Sequence, residues 1–312
     1  MSEIIVLTCA SGKQCNQIIP ALYQEPSIYK LRLVVHSKHS LDRLSKQYPN
    51  AEVVQADLDN LDSCGRILHG ATTIYYVSPT FSPHEVQYGT NIIDTALSES
   101  RKPDSKFLHF IFSSVLHPEI SKLLNHDRKR LIEEYLVESS LPYTILQPSH
   151  FADNAIGRLL SLRKDPTPDP IFVAAHDPEV SFSFSCVRDH AEASVKVIRE
   201  RSRHFFATYP LVSTLPMKYS EYVRSIGAVL GKDITVRQLS YEEAVEMYCR
   251  LFFGSLDVEQ NFRDAVERLL LYYNRRGLVG NPGILEWLLG RPGTTPAQLA
   301  RLMLQEAEAE IK

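Results

Sequence analysis

No run of about 18 consecutive apolar residues, the length a membrane-spanning helix needs, occurs in this 312-residue chain. Nor does a charged leader with an apolar core and a small-residue cleavage site precede the first apolar segment at residues 4 to 8. The expectation is therefore a soluble, cytoplasmic protein. Basic runs are missing too: 34 Lys and Arg stand against 37 Asp and Glu, for a net charge of -3. That balance leaves no electrostatic footprint for nucleic acid or an anionic membrane, so a small molecule is the expected partner. The 5 cysteines are odd in number and scattered, with no CxxC spacing, and the 11 histidines form no HExxH or Cys/His cluster. No metal is expected. Cys9 and Cys15 either meet as a redox pair or fill positions where packing needs small residues, and the second is the expectation. Internal repeats and low-complexity tails are also absent.

What is present is an apolar content of 44%, ordinary for a packed protein, arranged as alternating strand and helix patterns. Strands are predicted at 4–8, 31–36, 52–55, 73–77, 107–113 and 143–147. Helices are predicted between them at 15–24, 40–48, 61–68, 83–99 and 126–139, with Pro20 bending or shortening the first. Repeated βα alternation with short connections predicts an α/β fold, a Rossmann-like doubly wound parallel sheet, whose ligand site lies at the C-terminal ends of the strands. After Pro148 the pattern loosens into a proline-rich stretch at 165–170 and short β-like runs at 171–174, 181–185 and 205–212. Helices return at 241–253, 258–275 and 296–311. The expected organisation is a dinucleotide domain over 1–155 and a smaller, mainly helical substrate-binding region over 156–312, partly interleaved with the sheet. Aromatics at Phe252-Phe253, Tyr272-Tyr273 and Trp287 recur at helical spacing, which suits a core first and a substrate lid second.

The first strand, Ile4-Ile5-Val6-Leu7-Thr8, runs directly into the loop Cys9-Ala10-Ser11-Gly12-Lys13-Gln14-Cys15 and an apolar helix. A helix N-terminus offers unpaired N–H groups and a positive dipole end, so a pyrophosphate can sit there if the loop carries little side-chain bulk. Glycine is sparse, 13 in all, and this loop holds one, Gly12. At the end of the second strand, where an acid would hold a ribose 2′-hydroxyl, the chain reads His36-Ser37-Lys38-His39. His36, Ser37 and Lys38, joined by Lys13, form a candidate nest for a 2′-phosphate, so NADP(H) is expected over NAD(H). A solvated charged turn is the other reading of Lys38 and His39.

The loop Cys9 to Cys15, the segment Val53 to Leu58, the pair Ser113-Ser114, Lys129 and the run Leu141 to Pro148 together resemble the NmrA-like family of atypical short-chain dehydrogenases, in particular its fungal members. The likeness is clear over residues 3–155 and fainter beyond. Family loops read G-A-[ST]-G-x-x-G, so Cys9 and Cys15 stand where the first and third glycines would be. Cys15 is small enough to pack against the first strand, whereas Cys9 is strained if its backbone must take a positive φ. A Rossmann-like scaffold whose loop has lost its cofactor is the bland alternative. The resemblance implies that Ser11, Gly12, Lys13 and Gln14 hold the pyrophosphate and that Asp57 and Leu58 border the adenine. It further implies that Val77, Ser78 and Pro79 pass the ribose, that Ser113 and Ser114 lie beside the nicotinamide, and that Pro148, His150, Phe151 and Asn154 close over it.

In ordinary short-chain dehydrogenases a Tyr four residues before a Lys supplies the proton. Here that segment is Asn125-His126-Asp127-Arg128-Lys129, so the tyrosine is absent. Lys129 remains for ribose binding and electrostatic assistance. His126, on the same helical face, is either a proton donor or a surface histidine, and Ser114 is the third catalytic candidate. Hydride transfer needs no protein nucleophile, because the cofactor supplies the hydride. The resemblance thus implies an NADP(H)-dependent reductase of a bulky apolar small molecule, at C=O, C=N or conjugated C=C, in fungal secondary metabolism. Two alternatives stay open: a nonenzymatic NADP-binding redox sensor that regulates a transcription factor, and a redox-neutral cyclase or isomerase using bound NADPH. Monomer and homodimer are both compatible with the sequence.

Overall fold

A computed structural model describes residues 3–311, with the side chains of 310 and 311 outside the description. The chain runs β1 (Glu3–Leu7), α1 (Lys13–Tyr23), β2 (Tyr29–Val35), α2 (Lys38–Gln47), β3 (Glu52–Gln55), α3 (Leu61–Leu68), β4 (Thr73–Val77), α4 (Glu85–Ser100), β5 (His109–Ser113), α5 (Leu124–Glu138) and β6 (Tyr143–Pro148). It continues through α6 (Asp153–Ser161), β7 (Ile171–Ala174), β8 (Ser181–Phe182), α7 (Val187–Glu200), β9 (Ala207–Leu211), β10 (Met217–Lys218), α8 (Tyr219–Leu230) and β11 (Thr235–Gln238). Four helices close it: α9 (Tyr241–Phe253), α10 (Gln260–Arg276), α11 (Gly283–Leu289) and α12 (Pro296–Ile311).

A seven-stranded sheet has the order β3-β2-β1-β4-β5-β6-β9, with β1 to β6 paired in parallel. The order reverses between β1 and β4, the switch point at which doubly wound sheets open a ligand crevice. Tyr76, Phe110, Phe112 and Ile145 fill one face with Ile92, Ile93, Ile132 and Leu136 of α4 and α5, all at most 1% exposed. Because strand side chains alternate, Tyr75 and Ser113 point to the other face, where Tyr75 meets His190 and Ser194.

Helix α1 does not stop at Pro20. It continues to Tyr23, because Ile18, Ile19 and Leu22 are buried and anchor the last turn while the Pro20 ring is exposed. Two compact units divide the chain: residues 1–121, 125–147 and 190–209 in one, and 122–124, 148–189 and 210–312 in the other. Where the sequence reading drew its boundary at 155, residues 148–155 group with the second unit and 190–209 with the first. The second unit is built round an aromatic centre in which His176, Phe182, Phe184, Tyr219, Tyr222 and Tyr273 pack against one another, mostly tilted or edge-on. No helix among the described residues is long and apolar enough to cross a membrane.

Candidate dinucleotide site

The exit of β1 is clamped to β4. Thr8 Oγ1 donates to the Val77 carbonyl at 2.9 Å and accepts from the Val77 N–H at 2.8 Å. The chain then turns tightly, the Gly12 N–H reaching the Cys9 carbonyl at 2.8 Å. The turn demands φ +47° at Cys9, the left-handed region in which a Cβ is strained. A Cβ on Gly12 would stand 3.1 Å from the Cys9 oxygen, a tight contact that glycine avoids. Cys15 is fully buried, its thiol 3.4 Å from the Thr8 carbonyl, and so packs α1 onto β1. Burial holds the Cys9 thiol up at about 11 and raises Cys15 further. Both are free thiols, and at neutral pH both are protonated.

Helix α1 starts with no side-chain cap and no acid in its first turn. A helix start with no acid on it, at the positive end of the helix dipole, suits an anion. A cavity of about 360 Å³ lies in front of this loop, walled by Cys9, Ser11 and Gly12 after β1, Val34 to His36 at the end of β2, Ala56 to Leu58 after β3, and Pro79, Ser82 and Tyr88 after β4. Its volume is within the usual range for small-molecule pockets. Of the expected cofactor residues, Ser11, Gly12, His36, Asp57, Leu58 and Pro79 line it. Ser37 accepts the Ser40 N–H at 3.2 Å as the N-cap of α2, Lys38 opens that helix, and Lys13 opens α1; both lysines are exposed.

The remaining expected residues divide between the two faces of the sheet at the same height. On the α1 side, Gln14 Oε1 accepts from Ser113 Oγ at 2.7 Å and lies 3.2 Å from both Tyr75 Oη and His190 Nε2. Burial brings His190 down to about 3, so its imidazole is neutral at pH 7. On the α4/α5 side, Lys129 Nζ donates to Ser78 Oγ at 2.9 Å and to Glu85 Oε1, and Ser78 Oγ donates to the same carboxylate oxygen at 2.5 Å. Glu85 is 0% exposed and Lys129 6%. Ser114 follows one residue after β5 and is buried. Val77 ends β4.

His126 is 0% exposed, so it is not a surface histidine. Its Nδ1 is 3.0 Å from the His117 carbonyl, an acceptor only, which puts the ring proton on Nδ1. Burial lowers its pKa to about 4, leaving a neutral ring at pH 7 and no proton on Nε2 to give.

Pro148, His150, Phe151 and Asn154 fall in the second unit. Pro148 ends β6 and is buried; the His150 ring packs against His176, Phe182 and Phe184; Phe151 bridges to Ser185; Asn154 lies exposed in the first turn of α6.

Sequence reasoning missed Glu85, Tyr75, His190 and the cavity walls at Ser82 and Tyr88. A glutamate opening a helix and a tyrosine inside a strand carry no signal that distinguishes them from ordinary surface and core residues. Among the described residues no group of His, Cys, Asp or Glu is arranged to hold a metal ion.

The family model described as NmrA-like matches residues 1–289. Quinone oxidoreductase 2 of Escherichia coli is 22% identical over 296 residues, covering 95% of this chain and 96% of the relative. Among solved structures, the NADPH complex of the NADPH-dependent quinone oxidoreductase QOR2 from Escherichia coli superposes with a TM-score of 0.75 at 20% identity, covering 96% and 99% of the two chains. Triphenylmethane reductase of Citrobacter sp. with NADP(H) gives 0.74 at 18%, covering 96% and 99%. NmrA, a negative transcriptional regulator, in complex with NADP gives 0.75 at 15%, covering 98% of each. At these identities the likeness establishes the shared fold.

Proposed function

This chain belongs to the NmrA-like family, and we propose that it is an NADP(H)-dependent oxidoreductase that reduces a small molecule. The observation that carries this reading is the cavity at the β1/β4 switch point, bounded by the uncapped start of α1 and by the ends of β2 and β3. The residues present fit a dinucleotide phosphate. Gly12 keeps side-chain bulk out of the tight turn, the first turn of α1 carries no acid, and the end of β2 carries His36, Ser37 and Lys38 with no carboxylate. That absence favours NADP(H) over NAD(H), because a 2′-phosphate next to an acid would be repelled. Three of the similar proteins named above were solved with NADPH, NADP(H) or NADP.

When bound, the reduced nicotinamide supplies a hydride. The protein's part is to bind, orient and manage protons. Lys129, fixed by Glu85 and Ser78, holds a cation at the end of β4. Gln14 has its amide oxygen held by Ser113, Tyr75 and His190. The substrate class in this reading is a bulky, largely apolar acceptor with a polarised C=O, C=N or conjugated C=C. A quinone is the first candidate, given the activity for which the Escherichia coli relative is named. Fungal secondary metabolism is the setting suggested by the sequence resemblance, and the second unit, with its aromatic interior, is the part assigned to substrate. A redox sensor that holds NADP without turning it over is the second reading, favoured by Asn125 in place of the tyrosine.

The test is NADPH oxidation followed by absorbance with quinone, imine and enone acceptors. Acceptor-dependent oxidation supports the enzyme. Saturable NADPH binding with no oxidation by any acceptor favours the sensor.

A further inference from the structure

Three residues continue the paired strands by one position on the α4/α5 face: Ser78 after β4, Ser114 after β5 and Gln147 in β6. Two ionisable groups of α5, four residues apart and hence on one face of that helix, reach this row. Lys129 takes Ser78 and is neutralised there by Glu85. Glu133 takes the other two: Gln147 Nε2 donates to its Oε1 at 3.0 Å and to its Oε2 at 3.1 Å, and the Ser114 hydroxyl adjoins the same carboxyl. Unlike Glu85, Glu133 makes no ion pair among the described residues. Ser114 is 4% exposed, and its oxygen makes no hydrogen bond of normal geometry among the described residues. The Oδ1 of buried Asn125, two turns earlier on α5, is likewise unpartnered. A buried hydroxyl left short of partners beside an un-ion-paired carboxyl is an arrangement that awaits a ligand group.

Resting on the reductase reading above, we infer that Glu133 stores the proton of the reaction and delivers it through Ser114, in the role that the absent tyrosine would otherwise fill. A bound reduced nicotinamide would supply the two electrons, as a hydride to the acceptor carbon. The acceptor oxygen left anionic takes the Ser114 hydroxyl proton, the Ser114 oxygen takes the Glu133 proton, and the Glu133 carboxylate is reprotonated from solvent.

The surroundings act on that proton in opposite senses. Burial raises Glu133 above the ordinary carboxylate range, with the Ser114 and Gln147 contacts opposing it; Glu119, from the loop after β5, raises it further, and Lys129 lowers it. Glu119 is itself engaged by His117 Nδ1 at 2.8 Å.

Two variants test this, each checked for an unchanged melting temperature and retained NADPH binding. Glu133→Gln removes the acid while keeping the shape. Gln147→Arg leaves the acid in place and puts a cation on it. The first readout needs no turnover: infrared difference spectra recorded as pH is raised, in which the wild type shows a carboxylic-acid C=O band that persists beyond the titration of an ordinary glutamate and that both variants lose. The second is the pH profile with a 1,4-naphthoquinone and NADPH. Wild-type kcat falls as pH rises through the Glu133 titration. Glu133→Gln lowers kcat about 100-fold, the usual worth of a positioned acid, and abolishes that limb, and Gln147→Arg moves it to lower pH. Absence of the infrared band, or a pH profile that neither variant changes, overturns the inference. A wild type that binds NADPH but reduces no acceptor overturns the reductase reading and the delivery step with it, while the infrared band still reports whether Glu133 holds a proton.

Discussion

Lys129 and Glu85 form a buried pair, and the energetics of such pairs give the sharpest expectation at single residues. Removing one partner leaves the other charged and desolvated, which costs about 3 kcal/mol or more. Lys129→Ala is expected to lower stability by that amount, read by chemical denaturation, and to weaken NADPH binding markedly. The double variant Lys129→Met/Glu85→Leu recovers most of the stability and none of the binding. If it recovers both, the pair is structural only. Cys9→Ser is expected to do little, since the thiol is protonated and the strain at φ +47° belongs to the backbone rather than to sulfur. Lys129 was legible in the sequence because a recurring family pattern marks it. Glu85 and Glu133 were not, because charged residues on an amphipathic helix read as solvated until the tertiary fold shows what lies across from them. His126 misled for the same reason: its neighbours in sequence are charged, yet it is wholly buried.

Helices α4 and α5 meet at Gly89, where a Cβ would come within 2.6 Å of Ile132 Cγ1. Gly89→Ala must push the helices apart, and overpacking of this kind costs about 1–3 kcal/mol. The displacement would also carry Lys129 and Glu133 away from the strand ends, so turnover should fall with stability. Gly12→Ala makes the opposite division. Its Cβ would crowd the Cys9 carbonyl and the phosphate loop rather than the core, so NADPH binding should weaken about 10-fold or more while the melting temperature barely moves. A large loss of stability with unchanged binding would contradict the placement of the loop. Strands β1 to β6 and their helices were readable because each is a short apolar run or an amphipathic period bounded by turn residues. Helix α7 was not: its buried positions include Ala191, Ala193 and Ser194 as well as His190, and small and polar residues on the inner face blur the period. Pro20 was overrated as a breaker, because three buried neighbours hold the helix together around it.

Among the described residues, four histidines are buried and held neutral, His109 and His190 at about 3 and His126 and His176 at about 4, with burial the largest cause in each. In the unfolded chain each takes up a proton near pH 6.5. Their contribution to stability is therefore complete above pH 6.5 and is lost as pH falls from there towards 4. The melting temperature should drop steeply over that window, and His176→Gln, which keeps a polar partner for Tyr248, should flatten the drop. Unchanged melting between pH 7 and 5 would contradict the burial of these rings. The overall architecture was legible because alternation of strands and helices admits few topologies. The assignment of residues 190–209 to the first unit was not, since it depends on which surfaces meet after folding. Every functional role assigned above depends on the cavity at the β1/β4 switch point. Its most direct test is a fluorescence titration of the purified protein with NADPH, with NADH as the control. Saturable binding that prefers NADPH, and that Lys38→Glu reverses or abolishes, is the predicted result; no saturable binding of either nucleotide would mean that Cys9 and Cys15 mark a loop that no longer holds a cofactor.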